Sequence, residues 1–385
     1  MQLIGVICEY NPFHLGHLRQ LSYIRERCTG QDVIVCVMSG NYVQRGEPAI
    51  FDKHTRARAA VQAGADLVLE LPLGYVLRSA EGFADGGVEI LTQLGCQALS
   101  FGCECGDGEA IVRAARATCS PAYIQHFRAA MQAGQSYAAA RAQALAALGA
   151  DAAVLSRPND ILAVEYCRAI LRRQSPLRPM AIDRPGDYHS VLPDAQNPSA
   201  SAVRALILAG EAWRQYVPAQ CDYEGAAPHT LRWGERAMLA RLRALPQQTW
   251  QTLPHGSEGL WSKVYRAVQT QPDYESILAA AKSKRYPRTR LQRLLLCAYL
   301  GLDAATLAAS APYVRVLAFN EAGQRALHRC KQQPLTLINA GQRPPDAAYY
   351  ALECRAADLY SLFCAPDAPT IAGSEHDARI YRKKN

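Results

Sequence analysis

The chain has no apolar run of the roughly 18 residues needed to cross a bilayer. No basic segment precedes the amino-terminal apolar stretch, so no signal peptide is expected. No internal repeat stands out, and there is no low-complexity tract beyond a bias to alanine. Thirteen cysteines show no framework spacing, and their number is odd. Cys103 and Cys105 form one Cys-x-Cys, with no second pair at zinc-ligand distance. A disulfide scaffold and a dedicated zinc site are therefore not expected. The thiols read as reduced and mostly buried, in a cytoplasmic protein. Nor is there a dedicated carboxylate cage for Mg2+, for which Glu9 and Glu104 are the only candidates.

What is present is ordinary globular composition, 49% hydrophobic and 20% charged, over 385 residues. That length suggests two or three domains, each able to bury a core. The net charge of +8 permits a nucleic-acid partner without requiring one. No membrane and no protein partner is implied.

One stretch organises the rest. Leu3 to Cys8 is apolar and reads as a short buried strand; a turn at Asn11-Pro12 follows. Then come His14-Leu15-Gly16-His17, with Leu18, Leu21 and Ile24 at helical spacing. A strand that turns into a helix makes an anion site, because the first helical amides lack partners and the dipole favours negative charge. Gly16 allows close approach of a phosphate or adenine. His14 and His17 share one face of the first turn and can both donate to phosphate oxygens. Taken alone the tetrapeptide is a modest signal, and a plain helix cap with two incidental histidines is the alternative.

Downstream, Val33–Met38 reads as a second parallel strand, Asp66–Leu71 as a third, Ala98–Phe101 as a fourth and Pro179–Ile182 as a fifth. Helices are expected over Lys53–Ala63, Ser79–Leu94 and much of 107–172. The loop Ser39 to Ala49 follows a strand's carboxyl end, where open α/β sheets place ligands. In it, Arg45 is either a contact for phosphate, of a nucleotide or a nucleic acid, or the ion-pair partner of Glu47; Lys53 is a further cationic candidate. Asn159 and Asp160 precede Ile161 and could simply cap a helix. Ser199-Ala-Ser201-Ala-Val-Arg204 opens another helix and makes a second anion cradle. The expected fold is α/β: a doubly wound, Rossmann-like parallel sheet over residues 1–215, followed by a mostly α-helical domain over 225–385.

In the second part, Lys282, Lys284, Arg285, Arg288, Arg290 and Arg293 form a run with no acid, with Tyr286 among them. This suits a phosphate backbone with a ring for stacking, or else a solvated helix face.

His-x-Gly-His after the first strand resembles the nucleotidyltransferase superfamily. Longer motifs narrow this: Glu9 to His17, Met38 to Ala49, Gly64 to Pro72, Phe101-Gly102-Cys-Glu104, Pro158-Asn159-Asp160, Tyr188-His189 with Ser199 to Arg204, and Tyr313 to Leu317. Together they resemble the tRNA(Met) cytidine acetate ligases over nearly the whole length. The resemblance implies ATP as co-substrate, acetate as second substrate and elongator methionine tRNA as acceptor, giving N4-acetylcytidine. It implies nucleotide contacts along Ile7, Cys8, Glu9, Tyr10, Asn11, Pro12, Phe13, His14, Leu15, Gly16, His17, Leu18, Arg19 and Gln20, and at Gly102, Asn159, Arg184 and Ser201. Catalysis would rest on His14, His17 and Arg204, and tRNA binding on Lys282, Lys284, Arg285, Arg288 and Arg290. Leu15, Tyr42 and Cys103 depart from the family pattern without removing a charged group. Direct transfer from an acetyl-adenylate is the simpler route; a thioester relay through Cys8 or Cys103 is the alternative. Rival readings are a small-molecule adenylyltransferase, which needs no basic second domain, and a non-catalytic tRNA-binding protein on the same scaffold.

Overall fold

The computed structural model describes residues 1–183 and 198–383. Arg184, Tyr188, His189 and Lys384 lie outside the described residues.

Strands that are apolar on both faces must be covered on both faces. β1 (Leu3–Cys8) and β2 (Val33–Ser39) meet that condition. Leu3, Ile7, Val33, Val35 and Val37 enter one core, while Ile4, Val6, Ile34, Cys36 and Met38 enter another. The sheet thus divides two hydrophobic layers. β2 leads into a two-stranded hairpin, β3 (Tyr42–Val43) with β4 (Glu47–Pro48), inside what the sequence reads as a plain loop. Two-residue strands carry no legible period. Gly46 in its turn has φ +84°, and a Cβ there would lie 2.6 Å from the Arg293 backbone nitrogen. Only glycine lets this hairpin press against the helix Arg288–Leu300.

β5 (Leu67–Leu71), β6 (Ala98–Cys103) and β7 (Arg178–Asp183) complete the expected parallel strands. The remaining three come from the last third of the chain: β8 (Val314–Phe319), β9 (Leu337–Asn339) and β10 (Tyr381–Arg382). The order is β10-β8-β5-β2-β1-β6-β7, with β9 also on β8. β8 runs antiparallel to β5, so the sheet is mixed rather than wholly parallel. Residues 225–385 are mostly helical, yet they also extend the sheet. Among the described residues no helix is long and apolar enough to cross a membrane.

β8 is joined to the sheet by buried charge. Arg315, 1% exposed, meets Glu353 Oε2 at 2.7 Å, Glu375 Oε2 at 3.6 Å and Glu70 Oε2 at 3.7 Å. Lys53 Nζ lies 2.8 Å from Glu70 and 2.5 Å from Glu375. The two carboxylates hold the Lys53 ammonium's pKa above its ordinary value, against the opposing effect of burial. Lys53 is therefore buried in this charge cluster and anchors the fold, which corrects its reading as a contact for phosphate or tRNA.

His255 gives the fold a pH dependence. Its Nε2 is 2.8 Å from the Leu77 carbonyl, and burial, with Arg293 and Arg290 nearby, lowers its pKa from 6.5 to about 4. The unfolded ring gains its proton from about pH 6.5 downward, the folded ring only near 4. Stability must therefore fall as pH drops through that window, by at most about 1.4 kcal/mol per pH unit from this group. Burial lowers His54 and His229 in the same sense. His255→Gln is expected to flatten the slope of unfolding free energy between pH 6.5 and 4, read by urea titration, without abolishing it.

Candidate active site

β1 has β2 on one side and β6 on the other, so the chain's winding reverses there. Crevices outside strand carboxyl ends at such a reversal hold ligands. A cleft opens at this point, lined from β1 by Ile7 and Cys8 and beyond it by Glu9, Tyr10 and Asn11. His17 and Gln20 come from the first helix, Leu15–Arg27, and Gly102 from β6. Asn159 comes from the helix Pro158–Arg172, and Ser201 and Arg204 from the helix Ala200–Ala209. These expected residues are brought together from five separate segments.

The chain leaves β1 through Tyr10 at φ 46°, a left-handed conformation costly for a tyrosine. His14 then caps the first helix: its Nδ1 accepts the Gly16 amide at 3.0 Å. His17 Nδ1 accepts the His14 amide at 3.2 Å, a reciprocal cap. An imidazole that accepts at Nδ1 carries its hydrogen, when neutral, on Nε2. The two rings stack with centroids 3.7 Å apart, and Tyr10 and Phe13 pack on His17 at 4.9 and 5.5 Å. The plain-cap and phosphate-donor readings are thus not exclusive. The pair is layered rather than side by side: His17 lines the cleft, whereas His14 has 0% exposure and lies behind it.

A second helix start converges on the cleft. Ser199 Oγ accepts the Ala202 amide at 3.1 Å, which leaves Ala200 and Ser201 at the wall. Arg204 donates to the Asn11 carbonyl at 2.8 Å and to Ser201 Oγ at 3.2 Å. One guanidinium thus ties the second helix start to the turn that leads into the first. Glu9 Oε1 accepts the Gln44 amide at 2.7 Å; burial raises its pKa, opposed by that bond, Arg45 and Arg204.

Other expectations change. Pro12, Phe13, Leu15, Gly16, Leu18 and Arg19 support the turn and helix without being among the lining residues, and Arg184 lies outside the described residues. Asn159 and Asp160 are not caps: Arg157 is the N-cap, without a side-chain bond. Instead Asn159 donates to Glu104 Oε1, and Asp160 Oδ1 accepts the Glu104 amide at 2.6 Å. Glu47 accepts from Gln292 at 2.6 Å, and among the described residues no ion pair joins it to Arg45, which is exposed. Burial pushes the Cys8 thiol well up and Cys103 to about 12, which opposes a thiolate relay. Reasoning from the sequence missed Gln44, Phe83, Leu162 and Tyr166 in the wall. Phe83, Leu162 and Tyr166 sit on helix faces, where an apolar residue reads as core.

The basic run lies elsewhere on the surface and meets acids brought by other segments. Arg285 and Arg290 lie 3.1 and 3.4 Å from Glu258, and Arg288 lies 2.6 Å from Glu275. Arg293 is buried near the Gln44 carbonyl. Lys282 and Lys284 are exposed and make no ion pair among the described residues. A groove sharing Glu47 and Arg204 with the cleft passes His229 and Tyr274 to Arg288.

A cleft that collects two helix starts and an arginine suits a nucleotide's phosphates, and the class of known protein that matches is the corresponding one. The HIGH Nucleotidyl Transferase family matches residues 1–374. An Exiguobacterium sp. protein named tRNA(Met) cytidine acetate ligase is 39% identical over 379 residues, covering 96% of each chain. Two crystal structures of Thermotoga maritima TmcAL superpose closely. The apo form gives a TM-score of 0.90 at 27% identity, covering 99% of both chains. The form bound with alpha-thio ATP gives 0.87 at 28% identity, covering 100% of both. The chain belongs to the tRNA(Met) cytidine acetate ligases.

Proposed function

We propose that this protein uses ATP to activate acetate and acetylates N4 of the wobble cytidine of elongator methionine tRNA, in the cytoplasm. The observation that carries the reading is the convergence of His17, Ser201 and Arg204 at the β1 reversal. Acetate is a poor acyl donor because oxide would have to leave, and the cytosine amine is a weak nucleophile. Acetate oxygen attacks the α-phosphorus, the bond to pyrophosphate breaks, and a mixed anhydride forms. The amine nitrogen then attacks the acetyl carbon, AMP leaves, and the amine's proton is released.

For the first step the chain supplies position and charge stabilisation. We assign His17, backed by His14, to the phosphates where charge builds. Arg204 and Ser201 face the departing pyrophosphate, and Gly102 and Asn159 the adenosine. Between the two candidate carboxylates for Mg2+, Glu9 lines the cleft and Glu104 is taken by Asn159, so Glu9 fits a phosphate-bound ion better. Such an ion would neutralise phosphate charge.

Residues 225–385 are assigned to tRNA. The groove from Arg204 to Arg288 offers a route from the basic surface to the cleft. Arg285, Arg288 and Arg290 can reach phosphates only by giving up Glu258 or Glu275, so Lys282 and Lys284 are the cleaner test. Replacing both with alanine is expected to weaken tRNA binding and lower the slope of log K against log salt by about 1 to 2. Acetate-dependent ATP turnover should be unchanged; a fall in turnover would place the lysines in the active site or the fold.

The deciding experiment is mass analysis of nucleosides from methionine tRNA after incubation with the protein, ATP and labelled acetate. Labelled N4-acetylcytidine is expected. Pyrophosphate release with nicotinamide mononucleotide or phosphopantetheine, and none with acetate, would favour a small-molecule adenylyltransferase instead.

A further inference from the structure

The end of β6 and the start of the helix Pro158–Arg172 meet beside the cleft. Gly102 and Asn159 line it; the next residue of each segment turns away from solvent. Cys103 is fully buried and Asp160 has 0% exposure. Cys103 Sγ lies 3.3 Å from the Sγ of half-buried Cys105. Both sulfurs and an Asp160 carboxylate oxygen lie within 4.8 Å of one another. Asp160 Oδ1 is satisfied by the Glu104 amide, but buried Oδ2 has no hydrogen-bond partner among the described residues. An orphaned carboxylate oxygen is costly to bury. Two thiols lie within 4.8 Å of one oxygen of this carboxylate, and thiols are weak donors.

We propose that Cys103, Cys105 and Asp160 form a binding site for a thiophilic divalent cation of the Zn2+ type, beside the adenosine-facing wall of the cleft. Tetrahedral zinc with Zn–S bonds near 2.3 Å holds its sulfurs about 3.8 Å apart. The observed spacing needs to open by only a few tenths of an ångström. A disulfide needs its sulfurs far closer, near 2.0 Å. Binding displaces a proton from each thiol, since a coordinating thiol is deprotonated by the ion. Cys105 provides the entry side, and the fourth position falls to water. The cation links the β6 end to the helix start, and so braces the two segments that carry Gly102 and Asn159. Sequence spacing hides the set because Asp160 lies far from the cysteines in the chain. The inference does not depend on the acetylation reading, because binding is read without turnover.

The test is titration of the reduced, metal-free full chain with Co2+. A near-ultraviolet thiolate-to-cobalt charge-transfer band, saturating at one equivalent and abolished by competing Zn2+, is expected. Cys105→Ser alters the half-buried ligand and should weaken Co2+ binding at least about tenfold, as should the isosteric Asp160→Asn. Circular dichroism checks that each variant is folded. A band of full strength in folded Cys105→Ser would assign the metal to other cysteines and overturn the proposal. So would the absence of any band in the parent chain, or a Cys103–Cys105 disulfide in a chain that takes up no Co2+ after reduction.

Discussion

His17→Ala is expected to slow acetyl-adenylate formation by two orders of magnitude or more, measured as acetate-dependent ATP–pyrophosphate exchange. Removing one donor to a developing oxyanion typically costs about 3 kcal/mol of barrier in a site closed to water. The proposed role rests on its position: His17 lines the cleft, its ring is packed against Tyr10, Phe13 and His14, and its Nδ1 takes the His14 amide. The same bond makes it part of the helix cap, so alanine also removes about 1 kcal/mol of helix stability. His17→Gln separates the two effects. Glutamine at this position can still accept the capping amide, so its melting temperature should stay near the parent's while exchange remains slow. Near-normal exchange in His17→Ala would refute the assignment of this ring to the phosphates.

Arg315→Met should destabilise the whole chain by about 3–5 kcal/mol, the usual effect of leaving buried carboxylates without their cation. Glu70, Glu353 and Glu375 are all at most 7% exposed, and among the described residues their ion-pair partners are Lys53 and Arg315. The arginine sits on β8, and its partners on β5, the helix Ala347–Ser361 and the short helix Ser374–Asp377. Removing it weakens the attachment of the last third of the chain to the sheet. Urea unfolding should show the loss in one transition. Adding Glu353→Gln should recover part of it, because Tyr313 can still donate to the amide oxygen while one negative charge disappears. A double variant no more stable than Arg315→Met would mean that Arg315 acts through packing rather than charge.

The chain order of residues was enough to determine the first five parallel strands, the helix starts at His14 and Ser199, and the family. These signals are local. A strand buried on both faces needs a continuous apolar run, and a cap needs its acceptor within three residues of the amide it satisfies. Tertiary structure alone decided the rest. It placed His17 in the cleft and His14 behind it, although both stand in one motif, because ring stacking against Tyr10 and Phe13 sets depth. Antiparallel β8, the acids facing the basic run, the inward turn of Lys53, and the meeting of Asp160 with Cys103 and Cys105 all join residues distant in the chain. Such proximities depend on how strands pair and how crossovers close, a sum over the whole chain that no short stretch of sequence encodes.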